Sequence, residues 1–321
     1  MQPDLVWIKT RSNTSSHQMH SALTAEAYHY VKPDATTTLT TSNTAALTSF
    51  NSDGFTLGSD GVINEDGYTY VAWCWKANGA GSANTDGNTN TTKTSANTTA
   101  GFSMITYDGD GAAATLGHGL GAKPKFIIQK NLSDTENWQV QHGSKGATHY
   151  ATFNTTNTFD ANSARWNDTE PTTTLITIGS DSSVSQSGEN MFMLAWAEVQ
   201  GYSSFGKFVG NTLTGNSGNH INTGFRPALV ILKKSGSGGN RSWLMFDSKR
   251  ASTGNVPEGT TGVNSYLEHT TGDEQGDNPI IFLSNGFQCR DTLTQQNDTY
   301  VYMAWAEQPI VNSKGVPNNA R

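Results

Sequence analysis

The sequence predicts an all-β protein made of three related β-sandwich modules in tandem. Charged residues make up 15% of the 321 residues, while Thr, Ser, Asn and Gly are abundant. This composition favours short strands and tight turns over charged amphipathic helices. A repeated strand, which begins at a proline and ends at a lysine, occurs at 3–9, 124–130 and 227–233. The spacings of 121 and 103 residues are too long for a solenoid, so each copy is expected to be a domain.

A tryptophan-rich strand is expected to close each module. It reads YVAWCW in the first module, MFMLAWAE in the second and VYMAWAE in the third. Because alternate side chains of a strand point to the same face, the large apolar residues mark a face that packs in the core. A second strand region is predicted between the proline strand and the tryptophan strand, at 49–57, 175–179 and 282–287.

The second and third modules carry an additional leading hairpin, predicted at 101–111 and 201–211. The first module has no such hairpin, which would leave an open sheet edge, and open edges are normally paired or covered. Residues 77–100, the C-terminal tail or a neighbouring subunit could supply the missing strands.

Domain boundaries follow from the repeats and from composition. Residues 77–100 have almost no large apolar side chain, so they are predicted to form a polar linker. The predicted organisation is a first, incomplete sandwich at 1–76, this linker, a second sandwich at 101–200, a third sandwich at 201–309 and a C-terminal arm at 310–321.

Charge and cysteine content argue against several classes of protein. The formal net charge of −7 and the absence of a basic run disfavour nucleic-acid binding through phosphate contacts. Cys74 and Cys289 show no CxxC spacing, so free thiols are expected instead of a disulfide framework or a zinc ribbon. No apolar run reaches the roughly 18 residues that span a membrane, and Met1–Asp4 lacks signal-peptide features. We expect a protein without membrane insertion that folds where it is made.

Glu198 and Glu307, each two residues after the tryptophan of its module, are the first candidates for catalysis. Glycoside cleavage needs two carboxyl groups roughly 5 to 10 Å apart. Neither glutamate has an acidic residue two or four positions away, where it would share a strand face. In the first module, Trp75 is taken to occupy the same position. We interpret both glutamates as structural and predict a protein that is not an enzyme.

No pattern in the sequence predicts a metal, a cofactor or a catalytic nucleophile. Asp108–Gly111 begins like a calcium-binding loop but has Ala112 at the fifth position and no later glutamate, so we interpret it as a hairpin turn. The eight histidines lack zinc-ligand spacing. No nucleophile elbow or phosphate-binding loop occurs.

The best candidate binding site is a loop of four residues, Arg165, Trp166, Asn167 and Asp168. Exposed aromatic rings stack on the C–H faces of sugars, and amides and carboxylates hydrogen-bond the hydroxyls, so this loop is a candidate glycan site. The alternative is that Trp166 packs beneath its own loop, since most tryptophans are largely buried. Tyr28, His29 and Tyr30 form a second aromatic candidate.

Five longer stretches resemble a family of repetitive proteins encoded by tailed phages of marine bacteria and cyanobacteria. They read LVWIKTRS, SFNSDGFTLGSDGVINEDGYTYVAWCWKA, GHGLGAKPKFIIQKN, RWNDTEPTTTLITIGSD and TGFRPALVILKKS, and the similarity covers about residues 3–309. The resemblance implies a virion surface protein, structural or tail-associated, with jelly-roll β-sandwich domains of the concanavalin-A-like lectin type. It supplies no catalytic residues.

Three functions agree with this resemblance. The first is a tail-fibre or receptor-binding protein whose sandwich loops contact host-surface glycans. The second is a capsid (head) decoration or another structural virion protein that binds capsid or tail subunits. The third, more distant, is a polysaccharide depolymerase, which would need a pair of carboxylates in a groove. Because the chain has neither heptads nor a shaft repeat, a fibre role would be that of a short fibre or a tip.

The expected partners follow from these functions. They are other virion proteins, such as capsid, tail or fibre subunits, a host-surface glycan, and further copies of the chain in a homo-oligomer such as a trimer. No cofactor, nucleic acid or membrane insertion is expected. The expected location is the virion surface, after assembly in the host cytoplasm.

Overall fold

The fold is described from a computed structural model. It describes residues 1–211, 218–236, 240–249, 266–268, 280–290, 294 and 297–307. Strands account for 42% of the residues and helices for 3%. The sheets are antiparallel, and the all-β class is confirmed. In these ranges no helix has the length and apolar character to cross a membrane. The predicted C-terminal arm, 310–321, lies outside the described residues.

The chain forms two compact units. The first contains residues 1–155 and 159–197, and the second contains 156–158 and the described residues from 198 onwards. The first and second predicted modules therefore share one unit.

The first unit contains a four-stranded sheet in the order β3-β2-β1-β6, with a separate β4-β5 hairpin on one face. Val6 and Ile8 of β1 pack under this hairpin against Leu47 and Ile63. The predicted second strand region of the first module is this hairpin. The bounds are β1 (Leu5–Thr10), β2 (Gln18–Ser21), β3 (Tyr30–Val31), β4 (Leu47–Asn51), β5 (Gly54–Leu57) and β6 (Tyr70–Trp75).

A seven-stranded sheet in the order β13-β12-β11-β10-β15-β8-β7 completes the first unit, together with the β9-β14 pair and two short helices. Ile127 and Met193 on one face of this sheet pack against Leu116 and Ile176 of the pair. The strands of the large sheet are β7 (Lys93–Asn97), β8 (Phe102–Asp108), β10 (Pro124–Asn131), β11 (Gln139–His142), β12 (His149–Thr152), β13 (Asp160–Ala161) and β15 (Asn190–Ala197). The other elements are β9 (Ala114–Gly117), β14 (Leu175–Ile178), α1 (Ser163–Trp166) and α2 (Ser182–Ser185).

The two large sheets of the first unit pack together through aromatic rings. Trp75 meets Trp196 edge to face, with ring centroids 5.9 Å apart, and Phe102 stacks on Trp196 at 5.0 Å. Trp7 contacts Phe153 at 5.5 Å. Such aromatic pairs each contribute about 0.5–1.5 kcal/mol beyond the area that they bury. The tryptophan face of each strand is therefore a core face, as the alternation of residues predicts.

The second unit has a five-stranded sheet in the order β16-β23-β18-β19-β20 and a three-stranded sheet in the order β17-β22-β21. Val230 and Phe246 of the larger sheet pack against Ile221 and Phe287 of the smaller one. The bounds are β16 (Ser203–Val209), β17 (His220–Asn222), β18 (Leu229–Lys234), β19 (Leu244–Asp247), β20 (Tyr266–Glu268), β21 (Ile280–Leu283), β22 (Gly286–Cys289) and β23 (Thr299–Trp305).

The leading hairpins that the sequence predicts are not hairpins. β8 pairs with β15 and β7, whereas β9 crosses to pair with β14. β16 and β17 separate in the same way, onto β23 and β22. Both edges of β8 are already occupied, so the chain after the Asp108–Gly111 turn has no free edge of β8 to pair with. It crosses to the opposite sheet instead.

Residues 77–100 differ from the predicted linker, because they are built into the first unit. Lys93–Asn97 forms β7, which pairs with β8. The polar side chains that suggested a linker satisfy local backbone groups: Asn78 N donates to Ser95 Oγ and Asn84 N donates to Thr91 Oγ1, both at 2.8 Å. Hydroxyl side chains that bond the backbone in this way can order a segment of low hydrophobicity.

Strand register corrects one alignment between the modules. The proline strands β1, β10 and β18 pair antiparallel with the tryptophan strands β6, β15 and β23, and Trp75, Trp196 and Trp305 lie opposite Leu5, Phe126 and Leu229. Trp75 is therefore the counterpart of the two other tryptophans, not of Glu198 and Glu307. The pair of tryptophans in the first module, Trp73 and Trp75, made the alignment ambiguous in sequence.

Candidate functional site

The predicted glycan loop is a helical turn whose tryptophan points inward. α1 begins after Asn162, whose side chain accepts a hydrogen bond from Ala164 N, and ends at Trp166. Trp166 has 0% of its surface exposed and packs in the core against the β9-β14 pair. A buried ring offers no face to a sugar. Trp166 therefore packs beneath its own loop, which is the alternative that the sequence left open.

The other three residues of this loop do not converge on a common space. Arg165 lies over the Tyr150 ring, 4.9 Å from its centroid, and its guanidinium also contacts Asp181 and Ser183. These contacts hold the half-buried Arg165 side chain against its own unit. Asn167 and Asp168 are exposed and have φ angles of 50° and 48°, a left-handed conformation that Asn and Asp tolerate better than most residues.

A groove of about 620 Å³ lies elsewhere in the first unit, where the packing of its two large sheets ends. Thr106 and Asp108 line it, and they share a face of β8 with Phe102 and Met104, which face the first sheet. The hydroxyl-bearing residues of its lining are Thr24, Thr38, Thr41, Thr92, Thr106 and Ser133. The remaining lining residues are Leu23, Ala25, His29, Leu39, Lys93, Asp108, Leu132 and Asn190.

The walls of this groove are held together by hydrogen bonds. Lys93 Nζ donates to Leu23 O at 3.0 Å, and Leu39 N donates to Leu132 O at 2.8 Å. Across β7 and β8, Thr92 Oγ1 donates to Thr106 Oγ1 at 2.7 Å. The loops of the first module are thereby fixed against the seven-stranded sheet, so the groove is preformed.

The groove combines polar groups with apolar patches and carries little charge. Lys93 and Asp108 bring one charge of each sign. The Nδ1 atom of His29 is buried and has no hydrogen-bond partner among the described residues. Neutral imidazole has one donor and one acceptor nitrogen, and this nitrogen is satisfied by none of the described residues.

Two other histidines have structural positions. Burial lowers the pKa of His20 to about 4. Its Nδ1 lies 3.1 Å from Ala27 O, and its Nε2 lies 3.2 Å from Gln18 Oε1. Burial also lowers the pKa of His118, below its usual range. Both imidazoles are neutral at physiological pH.

Glu198 and Glu307, which follow the second and third tryptophan strands, are not among the residues that line the groove. Glu198 Oε2 accepts a hydrogen bond from Phe205 N at 3.1 Å. Glu307 is exposed and forms an ion pair with Lys249 at 2.7 Å. Within the described part of the chain, no three His, Cys, Asp or Glu residues are grouped so that they could hold a metal ion.

Both cysteines are free thiols, as the sequence predicts. Burial raises the pKa of Cys74 to about 11 and that of Cys289 to about 12. Neither thiol is a reactive thiolate at physiological pH.

The sequence missed most of this groove because its lining comes from distant segments. His29 was singled out within an aromatic cluster and Asp108 within a turn motif. The threonines are not conspicuous in a chain this rich in threonine, and only the pairing of β7 with β8 brings Thr92 beside Thr106.

Comparison with known protein families gives a match over most of the chain. A family model described as a domain of unknown function, DUF7483, matches residues 1–309. No curated protein matches the chain, and no solved structure matches it. Because the match spans nearly the whole sequence, the chain belongs to the DUF7483 family.

Proposed function

We propose that this protein is a non-enzymatic phage virion surface protein of the receptor-binding type, and that its groove binds a glycan of the host surface. The observation that carries the proposal is the preformed, weakly charged groove lined by six hydroxyl side chains. Its volume lies within the roughly 300–1,000 Å³ of ligand sites. Resemblance to marine phage proteins supports the virion assignment.

The chemistry of the lining suits a neutral or weakly charged sugar. Hydroxyl groups donate to and accept from sugar hydroxyls, and the amide of Asn190 can do both. Leu23, Leu39 and Leu132 offer apolar surface to the C–H faces of a sugar ring. Lys93 and Asp108 would orient the ligand. This site replaces the Trp166 loop as the proposed point of contact.

The same lining argues against the depolymerase alternative. Asp108 is the one carboxylate among the lining residues, all of which belong to the described part of the first unit. Glycoside cleavage needs a second carboxyl group roughly 5 to 10 Å away. We therefore place binding, without cleavage, at this groove.

We also propose that the three modules are related jelly-roll sandwiches of the concanavalin-A-like type. Two observations support the relationship. Each module pairs a proline strand with a tryptophan strand in the same antiparallel register. Each also has a smaller sheet packed on one face of the larger one.

Binding of the intact chain to a panel of host-surface glycans tests the function. We expect Thr41→Trp, which fills the groove from an exposed position, and Asn190→Ala, which removes an amide, to weaken binding at least tenfold. Thr48→Trp, on an exposed position of β4, is the matched control and should bind like the parent protein. Equal binding by all three variants would contradict the proposal.

The position of the chain in intact particles separates the two virion roles. Gold-labelled antibodies should mark a tail fibre or its tip if the protein binds receptors. Labelling confined to the head would favour the decoration role and would remove the glycan proposal.

A further inference from the structure

The outer edge of β6 is an unusual surface of the first unit. β6 ends the four-stranded sheet, and among the described residues no strand pairs with its outer side. Its six residues read YVAWCW, and β1 occupies its inner side from Tyr70 to Trp75.

The backbone groups that face this edge follow from the register. Arg11 N donates to Thr69 O, which identifies that pair as hydrogen-bonded. In an antiparallel ladder the hydrogen-bonded pairs alternate, so Val71 and Trp73 direct their N–H and C=O groups to β1. The N–H and C=O groups of Tyr70, Ala72 and Cys74 therefore point away from β1, to the open side.

The corresponding strands of the other modules have a neighbour on this side. In β15, Met193 and Ala195 lie opposite Ile105 and Ser103 of β8. In β23, Tyr302 lies opposite Gly206 of β16. Both neighbours run antiparallel, so the two counterparts of β6 accept an antiparallel strand at the edge that is open in the first module.

β6 also lacks the protection that sheet edges usually have. Edges are normally short, charged, bulged or covered, because an open row of N–H and C=O groups recruits other strands. β3 and β13 have two residues each, and β7 begins with Lys93 and is bridged at Thr94 by Ser82. β6 has six residues with no charge, no proline and no bulge in its pairing with β1.

We propose that β6 pairs antiparallel with β6 of a second copy of this chain, around a two-fold axis at Ala72. In this register Ala72 faces Ala72 of the second copy, and Tyr70 faces Cys74 of the second copy. All three outward N–H groups and all three outward C=O groups of each copy then find partners. An edge that satisfies its own groups in this way is self-complementary, as a two-fold interface requires.

Side chains favour the same pairing. Ala72 is small and exposed, so two copies can approach at the axis. Val71 would lie beside Trp73 of the second copy, which pairs two large apolar side chains across the strands. The other modules have apolar pairs of the same kind, Met104 with Leu194 and Phe205 with Met303.

An exposed aromatic residue at the end of the edge supports a second copy as the occupant. Tyr68 is one of three exposed large hydrophobic residues in the described chain, with 42% of its surface accessible. In the same register it faces Lys76 of the second copy. The aliphatic stem of a lysine covers an aromatic ring while its ammonium stays in water.

Sedimentation equilibrium of the full chain tests this inference, which does not depend on glycan binding. The parent protein is expected to sediment as a dimer. Ala72→Pro removes the outward N–H at a position where an edge strand tolerates proline, and should give a monomer with an unchanged circular dichroism spectrum. Ala72→Ser is the matched control and should remain dimeric. A parent protein that is monomeric at every soluble concentration overturns the proposal.

A thiol introduced at the axis tests the register. Hydrogen-bonded antiparallel partners have Cα atoms about 5.5 Å apart, which is within the range that a disulfide bridges. Mild oxidation of Ala72→Cys should therefore give a covalent dimer on a non-reducing gel, whereas Thr48→Cys, exposed on β4, should not. If Ala72→Pro fails to fold, the cross-linking of Ala72→Cys alone tests the proposed pairing. A dimer that survives Ala72→Pro, or no cross-link at Ala72, overturns pairing through β6.

Discussion

Lys9 and Lys130 make the same two hydrogen bonds in different modules. Each Nζ donates to the carbonyl of the next residue and to the carbonyl four residues ahead: Thr10 O and Asn13 O for Lys9, Asn131 O and Asp134 O for Lys130. Both lysines are fully buried. In the first two modules, the lysine that ends the proline strand therefore stabilises the loop that follows it.

Replacing this lysine should destabilise the first unit. Lys130→Met keeps the apolar stem but removes the hydrogen bonds from the ammonium group to Asn131 O and Asp134 O, and a hydrogen bond from a charged group contributes about 1.5–3 kcal/mol. Urea unfolding should show the loss. Lys123→Met, which removes an ion pair with Glu170 on a partly exposed surface, is the control and should cost less than about 1 kcal/mol.

The cost of Lys130→Met should depend on pH. Burial lowers the pKa of Lys130 to about 8, below its ordinary value of 10.5. Between these values the unfolded chain binds more protons, so this lysine adds stability as the pH rises from 8 towards 10. The mutant lacks this gain, and its deficit relative to the parent should widen over that range. A constant deficit between pH 7 and pH 10 would contradict a depressed pKa.

His20 should make the fold sensitive to acid. Because burial lowers its pKa to about 4, the stability that neutral His20 contributes is complete above pH 6.5 and is lost as the pH falls through about 4. The shift corresponds to about 3 kcal/mol. His20→Gln should flatten the pH dependence of unfolding between pH 6.5 and 4. An NMR titration that gives His20 a pKa near 6.5 would refute the explanation.

Trp166 should matter for stability and not for glycan binding. Trp166→Ala empties a fully buried site and should cost about 3–5 kcal/mol. Protein that remains folded at low temperature should bind glycans as the parent does. Trp166→Phe, which refills most of the space, should recover a large part of the stability. Lost binding by a variant with intact folding would return this loop to the candidate sites.

The sequence predicted what depends on local periodicity. Alternation in β6, β15 and β23 placed Trp75, Trp196 and Trp305 on core faces, and the structure has them there. The sequence could not predict the pairing between distant segments. β9 pairs in a different sheet from β8, and β7 forms in a stretch with almost no large apolar residue. In each case the pairing depends on which strand edges of distant segments are free. The local sequence pattern carries no information about those edges.

The candidate site shows the same difference between local patterns, which the sequence reveals, and contacts between distant segments, which it does not. Residues 165–168 combine an aromatic ring, a guanidinium, an amide and a carboxylate, but a four-residue helix turns the Trp166 ring inward. The groove depends on Lys93 reaching Leu23 O, a contact between residues 70 positions apart. A preference for particular residue types in one stretch of chain cannot reveal such a site.

The edge-to-face contact of Trp75 with Trp196 limits how this protein can be divided or recombined. A fragment that ends near residue 76 would present a broad indole surface to water and would be insoluble or would bind chaperones. Recombination between related genes would preserve the fold most readily when the first two modules move as one block, with the crossover near residue 198.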